Sequence, residues 1–306
     1  MTETAVHDEL RPLLFSIAYR MVGSVTDAED IVQDAYLRYH RATQQSGAQV
    51  DSPKAYLSTV TTRLALDHLQ SARVRREQYV GPWLPEPLLT DPDPDAAERF
   101  ETADSLSMAF LVILESLTPV ERAVFLLHDV FDFSYAEIAG IVDKTESNCR
   151  QLAARARRRV EDRRPRFTSS PRERAEITDR FLAACRDGDL DSFVELLADD
   201  VVFYGDGGGR GHGLPNPVHG RDRVSRILAG FRQRFGPDTF TLVPVEVNGQ
   251  PGARCVDPSG RLINILAVDV EDGTVRRVWS VINHDKLHHL EPLADLDALL
   301  GEPRTR

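Results

Sequence analysis

Two stretches of the chain have residue types and spacing that suit chemistry. CRQLAARARRRVEDRRPR, Cys149 to Arg166, sets eight arginines against two acids, in 306 residues of formal net charge -11. The segment alone is +6, so the other 288 residues sum to -17. So concentrated a cationic stripe in an acidic chain suits a protein that meets a polyanion with one face only. The second stretch, FYGDGGGRGHG from Phe203 to Gly213, invites a phosphate cradle, but no GK[ST] follows and the glycines do not form GxGxxG ahead of a helix. A glycine-rich loop after a strand, with Asp206 and Arg210 capping or pairing locally, is the plainer reading. His284 and His288 are one helical turn apart and His289 follows, yet spacing places no third ligand. No metal and no cofactor are expected.

The elements that position these stretches are legible from periodicity. From Glu9 to about Arg76 apolar residues recur at helical spacing, and the last of three helices opens with Ser52 as N-cap and Pro53 at the first helical position. VGPWLPEPLLTDPDPDAAERF then places Pro82, Pro85, Pro87, Pro92 and Pro94 within 21 residues, which excludes continuous helix and predicts an extended linker. Helical period resumes through ADSLSMAFLVILESL. Two capping boxes follow, TPVE at Thr118 and SYAE at Ser134, and Thr145 caps a helix running from Glu146 to about Asp162. Two short helices joined by a tight turn, the second one basic, form a helix-turn-helix pattern. On the second helix Cys149, Leu152, Ala153, Ala156 and Val160 share the core side, which leaves the arginines free for a partner.

A new composition begins near Pro171. Two helical stretches lead into the strand DVVFYGD, the helix GRDRVSRILAGFRQRF and four further strands, with turn signals at Asn248-Gly249 and Asp272-Gly273 that predict antiparallel hairpins. The fold class is therefore multidomain: two all-α domains, the second with the helix-turn-helix, then an α+β domain with a curved antiparallel sheet. Cys149, Cys185 and Cys255 are far apart and in no CxxC spacing, so neither a disulfide framework nor a structural zinc is indicated, and a reducing cytosol is expected. The start MTETAVHDEL lacks the regions of a signal peptide, and no apolar run reaches the ~18 residues of a span. The expectation is a soluble cytoplasmic protein with no membrane partner.

SVTDAEDIVQDAYLRYHR, SPKAYLSTVTTRLALDHLQSARVRRE and LTPVERAVFLLHDVFDFSYAEIAGIVDKTESNCRQLAARARRRV resemble the two domains of extracytoplasmic-function sigma factors of the sigma-70 family. WLPEPL, DGGGR and NHDKL are similar to the marks of the subgroup that carries a SnoaL-like extension, a cone of the nuclear-transport-factor-2 type. The resemblance implies a region-two domain over residues 1–80, a linker over 81–100, a region-four domain over 101–166, a SnoaL-like regulatory domain over 171–291 and a tail over 292–306. It implies core RNA polymerase and promoter DNA as partners, admits a small-molecule ligand in the last domain, and suggests a monomer when free.

By position, the resemblance presents Asp27, Glu29, Asp30, Gln33 and Asp34 to the polymerase. It puts Tyr56, Arg63, His68, Arg73, Arg75 and Arg76 near the -10 element, although Arg63 stands where the family often has asparagine and Tyr56 where it often has tryptophan. It turns Glu146, Ser147, Asn148, Arg150 and Gln151 toward the bases of the -35 element, where such side chains have base partners in the major groove. Arg155, Arg157, Arg158 and Arg159 are then phosphate contacts. Trp83, Leu84, Pro85, Glu86 and Pro87 in the linker, with Asp206, Gly207, Gly208, Gly209, Arg210, Asn283, His284, Asp285, Lys286 and Leu287, become an interdomain regulatory surface. The exposed indole and leucines that PWLPEPLL would otherwise give to solvent favour its docking on the third domain.

Cones of this type usually enclose a pocket, and some relatives use a buried acid and a histidine for proton transfer next to a carbonyl. Asp206, His212, Tyr204, Asp269 and Trp279 can be cast in that role, but regulation rather than catalysis is expected. The protein then reads as an alternative sigma factor modulated in cis by its own C-terminal domain. The runner-up is a helix-turn-helix regulator fused to a ligand-sensing or enzymatic domain, acting without polymerase.

Overall fold

The computed structural model describes residues 3–45, 50–77, 79–90, 105–163, 169–188, 190–209, 213–235, 239–290 and 292–300. The chain divides into two compact units. One comprises Met1–Glu77, Glu98–Leu106 and Phe110–Arg164, and the other Gln78–Ala97, Ser107–Ala109 and Pro165–Arg306.

In the first unit helices α1 (Glu3–Val22), α2 (Val25–Gln45) and α3 (Pro53–Glu77) pack together. The α1 residues Leu14, Ile17, Ala18 and Val22 have no exposure at all, an apolar stripe at three- and four-residue spacing. Ser52 caps α3 as expected, its Oγ accepting from the Ala55 amide at 3.2 Å. After α4 (Met108–Leu114) come α5 (Pro119–Phe125), a π-helical turn (Leu126–Val130), α6 (Tyr135–Val142) and α7 (Glu146–Glu161). Both capping boxes form: Thr118 with Glu121, and Ser134 with Glu137. Two buried arginines tie the early helices to the later ones. Arg20 donates from Nε to the Ser105 carbonyl at 3.0 Å, and Arg122 donates to the Met21 carbonyl at 2.6 Å and to Glu115 at 2.8 Å. Each guanidinium is thus anchored on a backbone carbonyl of a different segment.

In the second unit α8 (Pro171–Asp187) runs from Ser170, whose Oγ accepts from the Glu173 amide, to Gly188, a left-handed C-cap at φ 73°. Short α9 (Leu190–Leu196) leads into β2 (Leu197–Asp206), then β3 (Val218–His219), α10 (Arg221–Phe235), β4 (Thr241–Val247), β5 (Gln250–Val256), β6 (Leu262–Glu271), β7 (Thr274–Val281) and a last short helix, α11 (Leu296–Leu300). The sheet order is β1-β4-β5-β6-β7-β2-β3, where β1 is Leu89–Thr90 from the proline-rich stretch. The expected hairpins form. Asn248-Gly249 and Asp272-Gly273 have positive φ at both positions (54° and 70°, 49° and 74°), the combination a type I′ turn requires.

Besides the short pairing of β3 with β2, two long-range pairings escaped the sequence reading. β2 runs parallel to β7, and Leu89–Thr90 add an edge strand antiparallel to β4. Both join segments far apart in the chain, where no turn signal announces the partner. Ile177, Phe181 and Leu182 of α8 pack with Val201, Phe203, Leu266, Val268 and Val278 to make the core on the concave face of the sheet.

Strand alternation puts Tyr204, Asp269 and Trp279 on the opposite face from that core. Tyr204 and Trp279 are cross-strand neighbours whose rings stack at 4.3 Å, and Trp279 Nε1 donates to Asp269 Oδ2 at 3.2 Å. Burial pushes the Asp269 carboxyl up to about 6, with the Arg277 guanidinium at 3.6 Å pulling the other way. Since this lies above the usual value of about 3.9, the folded state holds a proton that the unfolded chain has already released. Stability from this group is thus present at low pH and is lost as pH rises through about 6. Lowering the pH from about 7.5 to about 5 is expected to favour folding by about 1 kcal/mol through Asp269. Urea unfolding of the whole chain and of Asp269→Asn at both pH values checks this, because the variant must lose that increment.

Candidate nucleic-acid interface and linker site

Helix α7 is built to show one face. Thr145, extended at φ -79° and ψ 153°, accepts from the Asn148 amide at 3.2 Å. The preceding α6 stops because Asp143 takes a left-handed conformation at φ 53°. Cys149, Leu152, Ala153, Ala156 and Val160 are buried as the periodicity required, while Glu146, Ser147, Asn148, Arg150 and Gln151 are exposed. The first turns of α7 therefore offer a guanidinium, two side-chain amides, a hydroxyl and a carboxylate.

The arginines of α7 differ in their surroundings. Arg150 pairs with Glu146 at 2.7 Å and lies over the Tyr135 ring at 5.3 Å. Arg157 is half-buried, donating to Asp129 at 2.5 Å and to the Tyr135 hydroxyl at 3.2 Å. Arg155 and Arg159 both reach Glu121, at 3.5 and 2.9 Å. That carboxylate also closes the Thr118 capping box, so one buried acid anchors the start of α5 and orients two cations. Arg158 is exposed, with no ion pair among the described residues.

On α2, Asp30, Gln33 and Asp34 are exposed at i, i+3 and i+4 and share one face. Glu29 pairs with Arg11 at 2.6 Å, and Asp27 meets His68 of α3 at 3.4 Å. On α3, Tyr56 packs against Tyr39 with ring centres 5.9 Å apart. Arg63 donates to the carbonyls of Gly140 and Ile141, at 2.8 and 3.0 Å. These are open acceptors of the last turn of α6, where a cation is favoured. Arg73, Arg75 and Arg76 lie on α3, with side chains outside the described residues.

The second unit contains the linker site. Asp206, at the end of β2, is fully buried. Its Oδ2 accepts from the Leu84 amide at 2.8 Å and from Lys286 Nζ at 2.6 Å, and its Oδ1 from the Gly208 amide at 3.2 Å and from the Tyr79 hydroxyl. Lys286, itself 7% exposed, also donates to the Leu84 carbonyl and sits 4.2 Å from the Trp83 ring centre and 4.9 Å from that of Tyr79. Asn283 Nδ2 donates to the Tyr79 hydroxyl at 3.0 Å. Burial first, and then the bond to Asp206, push the Tyr79 phenol far up, so it stays protonated as a donor.

The close approach explains Gly208. Its φ is +68°, and a Cβ there would lie 2.6 Å from Asn283 Oδ1. Pro85, Glu86 and Pro87 are buried, and His289 contacts the Pro87 carbonyl at 2.8 Å. Leu88 and Asn248 exchange hydrogen bonds of 3.0 and 2.7 Å on the way to β1. Leu287 is buried, Gly207 and Asp285 lie in the adjoining turns, and Arg210 and His212 fall outside the described residues.

His284 and His288 do not share an α-helical face: each begins a separate 3-10 turn, His284–Lys286 and His288–Leu290. Asp206 and Tyr204 point away from the concave core, so they do not gather with a cavity on that side. Tyr79, Asn248 and His289 are contacts that sequence reasoning missed. Only Asn248 carried a signal, as a turn former, and it serves the linker as well.

An acidic helix face, a capped basic helix in a helix-turn-helix arrangement and an α+β unit fit a modular transcription initiation factor. The family profiles agree: Sigma-70 region 2 matches residues 6–75, Sigma-70 region 4 residues 107–160 and the SnoaL-like domain residues 178–282. The chain is 40% identical over 294 residues to the ECF RNA polymerase sigma factor SigJ of Mycobacterium tuberculosis, covering 93% of each. It is 35% identical over 283 residues to the probable ECF RNA polymerase sigma factor SigI of the same organism, with 92% of this chain and 93% of that one covered. The crystal structure of the M. tuberculosis SigJ superposes with a TM-score of 0.76 at 37% identity, over 95% of this chain and all of that one. The chain belongs to the extracytoplasmic-function sigma factors of RNA polymerase. No helix among the described residues is long and apolar enough to cross a membrane.

Replacing Asp206 by alanine leaves Lys286 buried without its carboxylate, a change that typically costs about 3 kcal/mol or more. The docked linker is expected to loosen, raising acrylamide quenching of Trp83 in the full chain. Subtracting the emission of Trp83→Phe isolates that signal from Trp279, and quenching equal to that of the parent protein would refute the clamp.

Proposed function

We propose that this sigma factor presents Asp30, Gln33 and Asp34 of α2 to core RNA polymerase and reads the -35 element with the first turns of α7. The observation that carries the reading is the capped helix whose core face is fully buried and whose first-turn polar side chains are all exposed. Arg150 and Asn148 or Gln151 are the base readers, since guanidinium and amide groups pair two base acceptors or an acceptor and a donor. Arg155, Arg158 and Arg159 hold phosphates. Arg157 serves the packing of α7 on the π-turn rather than DNA. Tyr56, Arg63 and His68, with the arginines at the end of α3, face the -10 element, and Arg63 must release the Gly140 and Ile141 carbonyls to do so. The protein acts as a monomer in the cytoplasm, where its polymerase is. The linker clamp at Asp206 sets how residues 79–90 are held, and through them the C-terminal domain modulates initiation in cis.

Run-off transcription with purified core polymerase and a promoter library tests this. Specific initiation is expected with the full chain. Arg150→Ala should relax preference at one -35 position, whereas Arg158→Ala should weaken all promoters and reduce the salt slope by about 1. Equal behaviour of the two variants across the library refutes the division of labour. Lys286→Met, which breaks the clamp without touching either DNA-binding surface, should change the initiation rate; an unchanged rate removes the cis role.

A further inference from the structure

Between α8, α10 and the concave face of the sheet lies a cavity of about 140 Å³. Phe203, Phe231, Phe240, Leu228, Leu266 and Ile282 make most of its wall, and Leu299 of α11 reaches it from the chain's last described helix. Among the described residues no charged side chain lines it. Its polar groups include Asn264 on β6 and Ser280 on β7, neighbours on the sheet, with Asn264 Nδ2 donating to Ser280 Oγ at 2.8 Å. Asn264 Oδ1 is buried and accepts from none of the described residues. A buried acceptor without a donor costs roughly 1–3 kcal/mol, so the pair is incomplete. Having accepted from the amide, Ser280 still has its own hydroxyl proton to give. Two residues of the wall, Asn264 and Ser280, thus bring one unpartnered acceptor and one donor to the cavity's edge, under an apolar vault.

We propose that this cavity is a receptor site for a small neutral alcohol or phenol. Such a ligand's hydroxyl donates to Asn264 Oδ1 and accepts from Ser280 Oγ, and its hydrocarbon part fills the vault. Size selects the class, since an apolar cavity of about 150 Å³ takes a single benzene ring, whereas drug-sized ligands need about 300 Å³ or more. The apolar wall excludes ions, which cannot be desolvated without a partner. The two thiols in the wall, Cys185 and Cys255, are pushed up to about 12 by burial, so they are neutral lining and not nucleophiles.

The site adjoins the linker clamp. Gly205 and Ile282, both in the cavity wall, are the neighbours of Asp206 and Asn283, and the Ile282 amide donates to the Asp206 carbonyl at 2.9 Å. Leu214, also in the wall, has its carbonyl against Gly81 of the linker. A ligand pressing on Gly205, Leu214 and Ile282 therefore bears on the groups that hold residues 79–88. This coupling rests on the cis-regulatory reading above, but occupancy of the cavity does not.

Ligand-observed NMR titration of benzene and phenol into the full chain tests the site without polymerase. Both should bind saturably, phenol at least as tightly as benzene. Asn264→Leu should weaken phenol about tenfold while leaving benzene within about twofold, and Ser280→Ala, the milder change, should move phenol in the same direction. The site is overturned if neither ligand saturates, or if the variants shift both ligands equally or neither. At saturating phenol, Trp83 emission corrected with Trp83→Phe should change; a Trp83 signal that does not move overturns the coupling.

Discussion

The second unit depends on one buried carboxylate. A carboxyl group with no exposure, such as Asp206, is costly without partners, and it is tolerable because a lysine, a phenol and two backbone amides converge on it. Two of those four donors come from elsewhere in the chain, Leu84 from the proline-rich stretch and Tyr79 from the residue just before it. The domain's own groups supply only half of the donors to its buried acid, and residues 79–84 complete the set. Lys286 has a second attachment, for it also holds the Leu84 carbonyl and lies over the Trp83 ring. The strand addition at Leu89–Thr90 and the Leu88–Asn248 exchange extend the same dependence along the sheet edge.

The helical unit uses its charges in a comparable way. Its arginine stripe is partly committed to internal acids, Arg157 to Asp129 and Arg155 with Arg159 to Glu121. Exposed ion pairs are individually weak, so the exposed Arg155 and Arg159 can be orientated by Glu121 and still be offered to phosphate, whereas the half-buried Arg157 stays with Asp129. The Glu121 pairs differ because that acid is buried and also caps α5. Neutralising it would weaken a helix start and two cation positions together.

Strand alternation separates two environments that the sequence places close together. Gly205 and Asp206 are consecutive, yet the first borders an apolar cavity and the second the linker clamp. Ser280 and Val281, or Ile282 and Asn283, divide in the same fashion at the end of β7. At these strand ends a single peptide unit separates the cavity wall from the linker clamp.

What the sequence determined by itself is what short-range physics controls. Thr118 with Glu121, Ser134 with Glu137, Thr145, Asn248-Gly249 and Asp272-Gly273 each act within a few residues, so they were legible, as was the buried side of α7. Three ordered sequence blocks likewise marked the family. Only the tertiary structure decided the rest. The parallel pairing of β2 with β7, the edge strand from the linker and the convergence of Tyr79, Leu84, Gly208 and Lys286 on and around Asp206 join residues up to 202 positions apart. The commitment of Arg63 to the end of α6 and the incomplete Asn264–Ser280 pair are of the same kind. Such contacts arise from burial, which forces a polar group to find whatever partner the packed chain brings near. Periodicity and spacing show that an acid will be buried, but not which distant donors will meet it.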